Sequence, residues 1–449
     1  VVSALLNARY TLNDVRDVLR SAPPQTYDRQ NFMERIASNL LAAERSPPEA
    51  PTTERVVLVT GASGIVGRHV AAELASRQQQ SEGPMSLSKP LRVVCLVRKV
   101  SLADTEEMFQ GLEGLEVVAG DVSLPLMGLD ESAYGSLTAS VQHVIHCAGN
   151  TNQSLHFEDL SSTLTATAEV LLFASHSPYL LSTTLLSTTD ILAHGAPESL
   201  PLQTGEARAS AELSGYANMK LFEEGIADDA ACAGLAGIAV CRLGLVCNSS
   251  RPWPQKHDFI DILFRGILAV GAVPEVAVDA CVPSLLPADV AAHWIVSLAL
   301  HHQHHESKRT ECSVFHLTNP DREKVSYQET FRDLSLPVVP YGEWLSRIPV
   351  ASPLHLLLRQ SSDRDSSAPL FRSSSTLADG DDDDDDHETN ADPNRGTTLV
   401  TSDTMRALLR VFNVDKAAPT CVTITAPSVK NLVEKVIASA RKSYNQHHK

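Results

Sequence analysis

The sequence predicts an α/β protein, a doubly wound parallel sheet with a smaller, mostly helical lobe in the C-terminal half. Three observations carry this expectation. Apolar runs of strand length recur through the first half and alternate with stretches of helical periodicity. The first of these runs ends in a glycine-rich turn that leads directly into a helix pattern. Hydrophobic residues make up 43% and charged residues 20% of the 449, enough for a sizeable core.

Residues 1–53 read as a helical linker region that follows an upstream domain. Thr11, Asn13 and Asp14 offer capping side chains ahead of Val15, Val18 and Leu19, and a second helix is predicted over 32–43 from Met33, Ile36, Leu40 and Leu41. Ser46, Pro47, Pro48 and Pro51 then mark a linker. The chain begins with Val1, which fits a piece of a longer polypeptide. Residues 54–250 hold most of the sheet, with strands predicted over 56–59, 91–97, 115–118, 141–145, 180–186 and 237–243. Residues 251–449 form the substrate lobe, from which a strand near 313–319 returns to the sheet. Within that lobe, 361–398 combines serine clusters with six consecutive Asp and reads as a disordered acidic insertion. Helical patterns resume at 405–412 and 429–440.

Charge and composition narrow the function classes. The net charge is −17, and residues 379–392 alone contribute nine acids with no Lys or Arg. An acidic chain lacks the basic face that nucleic-acid binding needs. No apolar run reaches the ~18 residues of a membrane helix. The eight cysteines are scattered without a CxxC pair, as in a reducing, cytoplasmic setting. The histidines at 301, 302, 304 and 305 read as a solvated helix end, since carboxylate and thiol partners at ligand spacing are missing. The Asp381 to Asp386 run lacks the internal glycine of a calcium loop and reads as a solvated charge run.

Four motifs carry chemistry. After the first strand come Thr60, Gly61, Ala62, Ser63, Gly64, Ile65, Val66 and Gly67, with Val70 and Leu74 continuing a helix. Glycines there let the backbone turn sharply and approach a pyrophosphate seated on the helix N-terminus, as in a Rossmann-like fold. The second strand ends in Arg98 and Lys99. A cofactor with a free ribose hydroxyl wants an acid at that point, whereas a 2′-phosphate pairs with a cation, so NADP(H) is predicted over NAD(H). After the third strand, Asp121 can accept from the adenine amino group while the backbone at Val122 pairs with the ring. His146, Cys147, Ala148 and Gly149 follow the fourth, with small residues where backbone passes near the nicotinamide ribose. Finally, Tyr216 and Lys220 stand at i and i+4 on one helix face. A Lys ammonium about 5 Å from a phenol is worth roughly 3 kcal/mol at an effective dielectric near 20, which predicts a phenol about two units more acidic than usual. Upstream, Ser187, Thr188 and Thr189 supply hydroxyls to hold a substrate oxygen, and spacing alone does not choose between the two threonines.

Taken together, these motifs resemble the extended short-chain dehydrogenase/reductase superfamily. Within it they are most similar to the thioester reductase domains that end some polyketide and non-ribosomal peptide synthases, carboxylic acid reductases and aminoadipate reductases. The matching residues run over 57–67, 95–98, 120–125, 144–148 and 215–220, with further likeness at Cys241 to Gly244, 266–274, 315–320 and 341–344. The resemblance spans roughly residues 54–440, interrupted by the insertion. It implies that NADPH delivers hydride to a thioester held on the phosphopantetheine arm of an acyl or peptidyl carrier protein, expected in the same longer polypeptide. Tyr216 would donate the proton, Thr188 (the hydroxyl that the superfamily pattern favours) would orient the oxygen, and Lys220 would tune Tyr216 and hold the ribose. The product would be an aldehyde, or an alcohol after a second reduction. Two positions depart from the family: Leu243 replaces the proline of an Arg-Pro-Gly turn, and Thr163 stands where an Asn is frequent. Three other readings compete. A sugar-nucleotide epimerase or dehydratase would want an acid rather than Arg98. A fatty acyl-CoA reductase would carry an additional C-terminal region. A non-enzymatic NADP-binding regulatory module would not need Thr188, Tyr216 and Lys220 together.

Overall fold

The computed structural model describes residues 28–45, 54–79, 90–152, 155, 157–192, 215–247, 249, 259–276, 285–301, 312–319, 326–349, 352 and 354. The helix expected near 11–19, the Pro-rich linker, the acidic insertion, the histidines beyond 301 and the helical patterns at 405–412 and 429–440 lie outside the described residues. The chain divides into two compact units, one holding the described residues up to 244 with 288–317, the other 245–287 with the described residues from 318 onward.

The first unit is built on seven parallel strands: β1 (Arg55–Thr60), β2 (Leu91–Val97), β3 (Leu115–Ala119), β4 (Val141–His146), β5 (Ser182–Thr188), β6 (Ile238–Leu243) and β7 (Ser313–Leu317). Their spatial order is β7-β6-β5-β4-β1-β2-β3. The order reverses between β1 and β4, and ligands of such sheets bind at the carboxyl ends of the strands beside that reversal. Strands β1 and β2 read as near-continuous apolar runs because helices cover both faces of a parallel sheet, and β4 keeps Val141, Val144 and Ile145 buried in the same way. Helices α1 (Arg29–Arg45), α2 (Ile65–Gln79), α3 (Leu102–Met108), α4 (Glu131–Thr138), α5 (Ser161–His176) and α6 (Gly215–Cys232) belong to this unit. Strand β5 departs from the expected 180–186. Leu181 is 40% exposed, whereas the hydroxyl residues Ser182, Thr183 and Thr184 are fully buried, so the apolar run marks the strand two residues too early.

Two local devices steady the unit. Phe32 and Ile36 of α1 enter the cluster formed by Leu164 and Leu171 of α5 with Phe222 and Ile226 of α6, while Arg29 pairs with Asp229 at 2.7 Å. A further helix, Ala288–His301, rejoins this unit and lies on α2. There Glu73 pairs with Arg77 and His293, each at 2.9 Å, and Arg77 reaches Ser297 Oγ at 2.6 Å. Burial works against the Glu73 charge, but His293 and Arg77 outweigh it and hold the carboxyl at about 2.

In the second unit, the helices Phe259–Val270, Tyr327–Leu334 and Tyr341–Arg347 enclose a core of Ile260, Leu263, Phe264, Tyr327, Phe331 and Trp344. Trp344 Nε1 donates to the Ala272 carbonyl at 2.9 Å, which satisfies an indole with no exposure. Among the described residues no helix is long and apolar enough to cross a membrane, and no group of three or more His, Cys, Asp or Glu is arranged to hold a metal ion.

Candidate functional site

The glycine turn joins β1 to α2. Gly61 has φ +69°, and a Cβ on it would lie 2.5 Å from the Ala148 nitrogen and 2.6 Å from the Ala148 Cα. A Cβ on Gly67 would lie 2.3 Å from the Gly61 oxygen. The loop is thus pressed against the end of β4 on one side and the first turn of α2 on the other. Thr60 ties the two strand ends together: its carbonyl accepts from Cys147 N–H at 3.1 Å, and its hydroxyl accepts from Ala148 N–H at 3.4 Å. The Gly64 N–H donates to the Gly61 carbonyl at 2.8 Å. The first turn of α2, which includes Ile65 and Val66, has no acidic residue. This chain therefore presents helix-start N–H groups and a positive dipole end behind a backbone that side chains cannot crowd, which fits a dinucleotide pyrophosphate.

Arg98 and Lys99 are exposed at the carboxyl end of β2, where Ser101 N–H closes a short turn onto the Arg98 carbonyl at 2.8 Å. Asp121 and half-buried Val122 follow β3. The Asp121 Oδ1 accepts from the Ser123 N–H at 3.0 Å and hydroxyl at 2.6 Å, while its own N–H donates to the Met127 carbonyl at 2.8 Å. That anchor uses an unusual turn: Leu126, Met127 and Gly128 have φ of 55°, 55° and 68°, and Met127 is fully buried. A Cβ on Gly128 would lie 2.7 Å from Asp121 N.

Thr188 ends β5 and is buried. Its Oγ1 accepts from Asp190 N–H at 3.2 Å, whereas Thr189 donates to the Leu243 carbonyl at 3.3 Å. Tyr216 and Lys220 stand one turn apart on α6. The Lys220 Nζ donates to the Leu186 carbonyl at 3.0 Å and pairs with Glu223 at 2.7 Å. A Cβ on Gly149 would lie 3.6 Å from that nitrogen, so the ammonium sits beside the loop after β4. Glycine turn, Ala148 loop, Thr188 and the Tyr216–Lys220 pair thus meet at the carboxyl ends of neighbouring strands, with Arg98 and Asp121 at the ends of the next two.

One electrostatic expectation reverses. Burial pushes the Tyr216 phenol up to about 12, and although Lys220 pulls it down, Asp190 and Glu223 push it up further. A carboxylate in contact with the ammonium cancels much of the field that a free Lys would exert. Burial also disfavours the Lys220 charge, but Glu223, Tyr216 and Glu224 outweigh it and the ammonium binds its proton more tightly than usual. Sequence spacing from Lys220 to Tyr216 does not report what else contacts the lysine.

Several residues of this region carry no sequence signal of their own. Glu223 accepts from the Thr167 hydroxyl at 2.5 Å, Thr167 lies 3.5 Å from His146 Nε2, and His146 Nδ1 lies 2.7 Å from Thr60 Oγ1. Burial, then Lys220, holds His146 down to about 3, a neutral ring. Glu224 accepts from Ser187 at 2.5 Å and from Arg242 at 2.7 and 3.0 Å. Arg242 has no exposure, so this pair anchors β6 to α6. A three-residue step from Lys220 to Glu223 was the one available hint, since side chains three apart share a helix face.

Comparison with known proteins bears on this arrangement. The NAD-binding family model described as "Male sterility protein" matches residues 59–295. A non-ribosomal peptide synthetase, ascB, of Acremonium egyptiacum is 28% identical over 348 residues, covering 69% of this chain and 29% of that protein. A carboxylic acid reductase of Mycobacterium marinum is 27% identical over 358 residues, covering 70% of this chain and 29% of that protein. The chain therefore spans less than a third of the length of either relative. Among solved structures, the terminal R domain from the myxalamid PKS-NRPS biosynthetic pathway has the same fold, with a TM-score of 0.63, 22% identity, and coverage of 92% of this chain and 98% of that one.

Proposed function

The chain belongs to the NAD-binding family described as "Male sterility protein", and from that premise we propose that it is an NADPH-dependent reductase of acyl, polyketide or peptidyl thioesters carried on phosphopantetheine. The observation that carries this reading is the buried Lys220 beside Tyr216 and Gly149, at the strand ends that also hold the glycine turn. Likeness to multidomain synthetases and carboxylic acid reductases supports a tethered thioester supplied by a carrier protein, which linkage in one polypeptide would present at high effective concentration.

NADPH, when bound, supplies the hydride. Residues Gly61, Ser63, Gly64, Ile65, Val66 and Gly67 would hold its pyrophosphate on the α2 N-terminus, Arg98 its 2′-phosphate, and Asp121 with Val122 its adenine. The Ala148 loop and Lys220 would hold the nicotinamide ribose. Thr188 orients the thioester oxygen through its hydroxyl. Tyr216 gives its phenolic proton to that oxygen as the carbonyl carbon gains hydride. The hemithioacetal then collapses: the carbon–sulfur bond breaks, the oxygen loses its proton, and aldehyde and thiol separate. In sum, thioester, NADPH and one proton give aldehyde, thiol and NADP⁺. With burial holding the phenol above its ordinary range, Tyr216 carries its proton into the reduction.

The test is turnover of an acyl-pantetheine thioester with NADPH or NADH as reductant. The reading expects aldehyde and free thiol in step with NADPH loss, and at least about tenfold slower use of NADH. Equal use of NADH, or turnover of a sugar nucleotide in place of the thioester, would refute it.

A further inference from the structure

Beside the acid–base pair of this chain lies a buried carboxylate that the reaction above does not use. Glu223 is 5% exposed and Lys220 6%, and their side chains meet at 2.7 Å. Burying a carboxylate costs several kcal/mol unless it is paired and hydrogen-bonded, and both conditions hold here. One Glu223 oxygen faces Lys220, and the other accepts from Thr167, whose hydroxyl has a single proton to give. Thr167 can therefore only accept from His146 Nε2–H, which leaves His146 Nδ1 to accept from Thr60. Every donor in the row Thr60, His146, Thr167 points toward the carboxylate. Such a row fixes the Glu223 side chain and stabilises its charge where solvent does not reach it.

We propose that Glu223 is a positioning residue that clamps the Lys220 ammonium and cancels part of its field, so that Tyr216 enters the reaction as a protonated donor. This deepens the function proposed above and rests on it for the role of Tyr216. The geometry matches the chemistry of reduction. A donor must hold its proton until hydride arrives, and cancelling part of the lysine's field extends the range over which the phenol stays protonated further into alkaline pH. The charged and titratable groups around the pair are Glu223 and Glu224 on α6, Asp190 after β5, and His146 and Cys147 at the end of β4. Arg242 of β6 already neutralises Glu224, and burial raises the Asp190 carboxyl toward its neutral form. Glu223 is thus the carboxylate in direct contact with the ammonium, and Thr167 keeps it there.

The test reads Tyr216 without turnover. Tyrosinate absorbance of the full chain is titrated for wild type, Glu223→Gln, Glu223→Asp and the Glu223→Gln/Tyr216→Phe double variant. The expected result is one tyrosine in Glu223→Gln that ionises about one unit or more below its wild-type position. That change is absent from the double variant and small in Glu223→Asp, and the alkaline limb of the rate profile with an acyl-pantetheine thioester moves in the same sense. Unchanged tyrosine ionisation in a folded Glu223→Gln chain would overturn the proposal, as would a shift that persists in the double variant. Loss of the fold in Glu223→Gln is answered by Thr167→Val, which frees the carboxylate while keeping the pair and is expected to give a smaller shift of the same sign. No shift there would likewise overturn it. Absence of any thioester turnover in wild type with the ionisation shift intact would refute the proposed substrate while leaving the clamp standing.

Discussion

The approach of Gly61 to the end of β4 gives a graded prediction from three Gly→Ala substitutions. At Gly61 the new Cβ meets the Ala148 nitrogen at 2.5 Å and the Cys147 carbonyl carbon at 2.7 Å, and the residue must also hold φ +69°. Ordinary van der Waals contact would require the β4 end to retreat by nearly 1 Å, and every atom struck is backbone. The left-handed conformation costs about 1–2 kcal/mol, and an overpacked site about 1–3 kcal/mol more, giving roughly 2–5 kcal/mol. Gly111 has φ +86° with nothing within 4 Å of its Cβ, so Gly111→Ala isolates the backbone cost at about 1 kcal/mol. Gly135 lies in α4 with open space and an ordinary φ, so Gly135→Ala stabilises by about 0.5–1 kcal/mol. Urea midpoints of the three variants read the order, and fluorescence titration with NADPH reads the loop. Only Gly61→Ala should weaken NADPH, by about tenfold or more, because only there does the phosphate-facing turn move. A Gly61→Ala chain as stable as Gly111→Ala, with wild-type NADPH affinity, would refute the argument that the turn is held against Ala148.

Three further outcomes follow from the geometry. Glu73 titrates at about 2 in the fold, below its ordinary range, so its contribution is complete above about pH 4.5 and is lost as pH falls toward 2. Wild type should lose up to about 3 kcal/mol more than Glu73→Gln over that window, and parallel urea midpoints of the two chains would contradict it. Arg98→Glu should lower NADPH affinity by about tenfold or more and bring NADH closer to it, measured by competitive titration; an unchanged preference would remove Arg98 from the 2′-phosphate. Thr189 turns its hydroxyl onto the Leu243 carbonyl, while Thr188 is held by Asp190 at the end of β5, so Thr188→Val should slow thioester turnover about 100-fold while Thr189→Val stays within a few-fold; the reverse order would assign the hydroxyl to Thr189.

Features built from local patterns were legible in the sequence. β1 and β2 stand out as near-continuous apolar runs, and Gly61 and Gly67 stand out because only glycine tolerates the approaches they make. The order of the motifs along the chain also placed Tyr216 and Lys220 after the fifth strand, where the structure has them. Tertiary features were not legible. The shift of β5 follows from buried hydroxyls: Ser182 donates to the Ala299 carbonyl at 2.7 Å, a partner more than a hundred residues away. The helix 288–301 rejoins the sheet unit through Arg77, Glu73 and His293, none of which forms a motif. The state of Tyr216 is hidden for the same reason, because pair spacing describes one neighbour while burial, Asp190 and Glu223 act together. The left-handed turn at Leu126 and Met127 is hidden too, since neither residue type favours it and burial of Met127 enforces it.

In the proposed reaction Tyr216 supplies the proton as the thioester carbon is reduced. Single-turnover rates of aldehyde formation from an acyl-pantetheine thioester, compared for wild type and Tyr216→Phe with NADPH saturating, address it most directly. The rate should fall about 100-fold or more in the Phe chain, with NADPH affinity unchanged within a few-fold. Aldehyde formed by the Phe chain at the wild-type rate would contradict it.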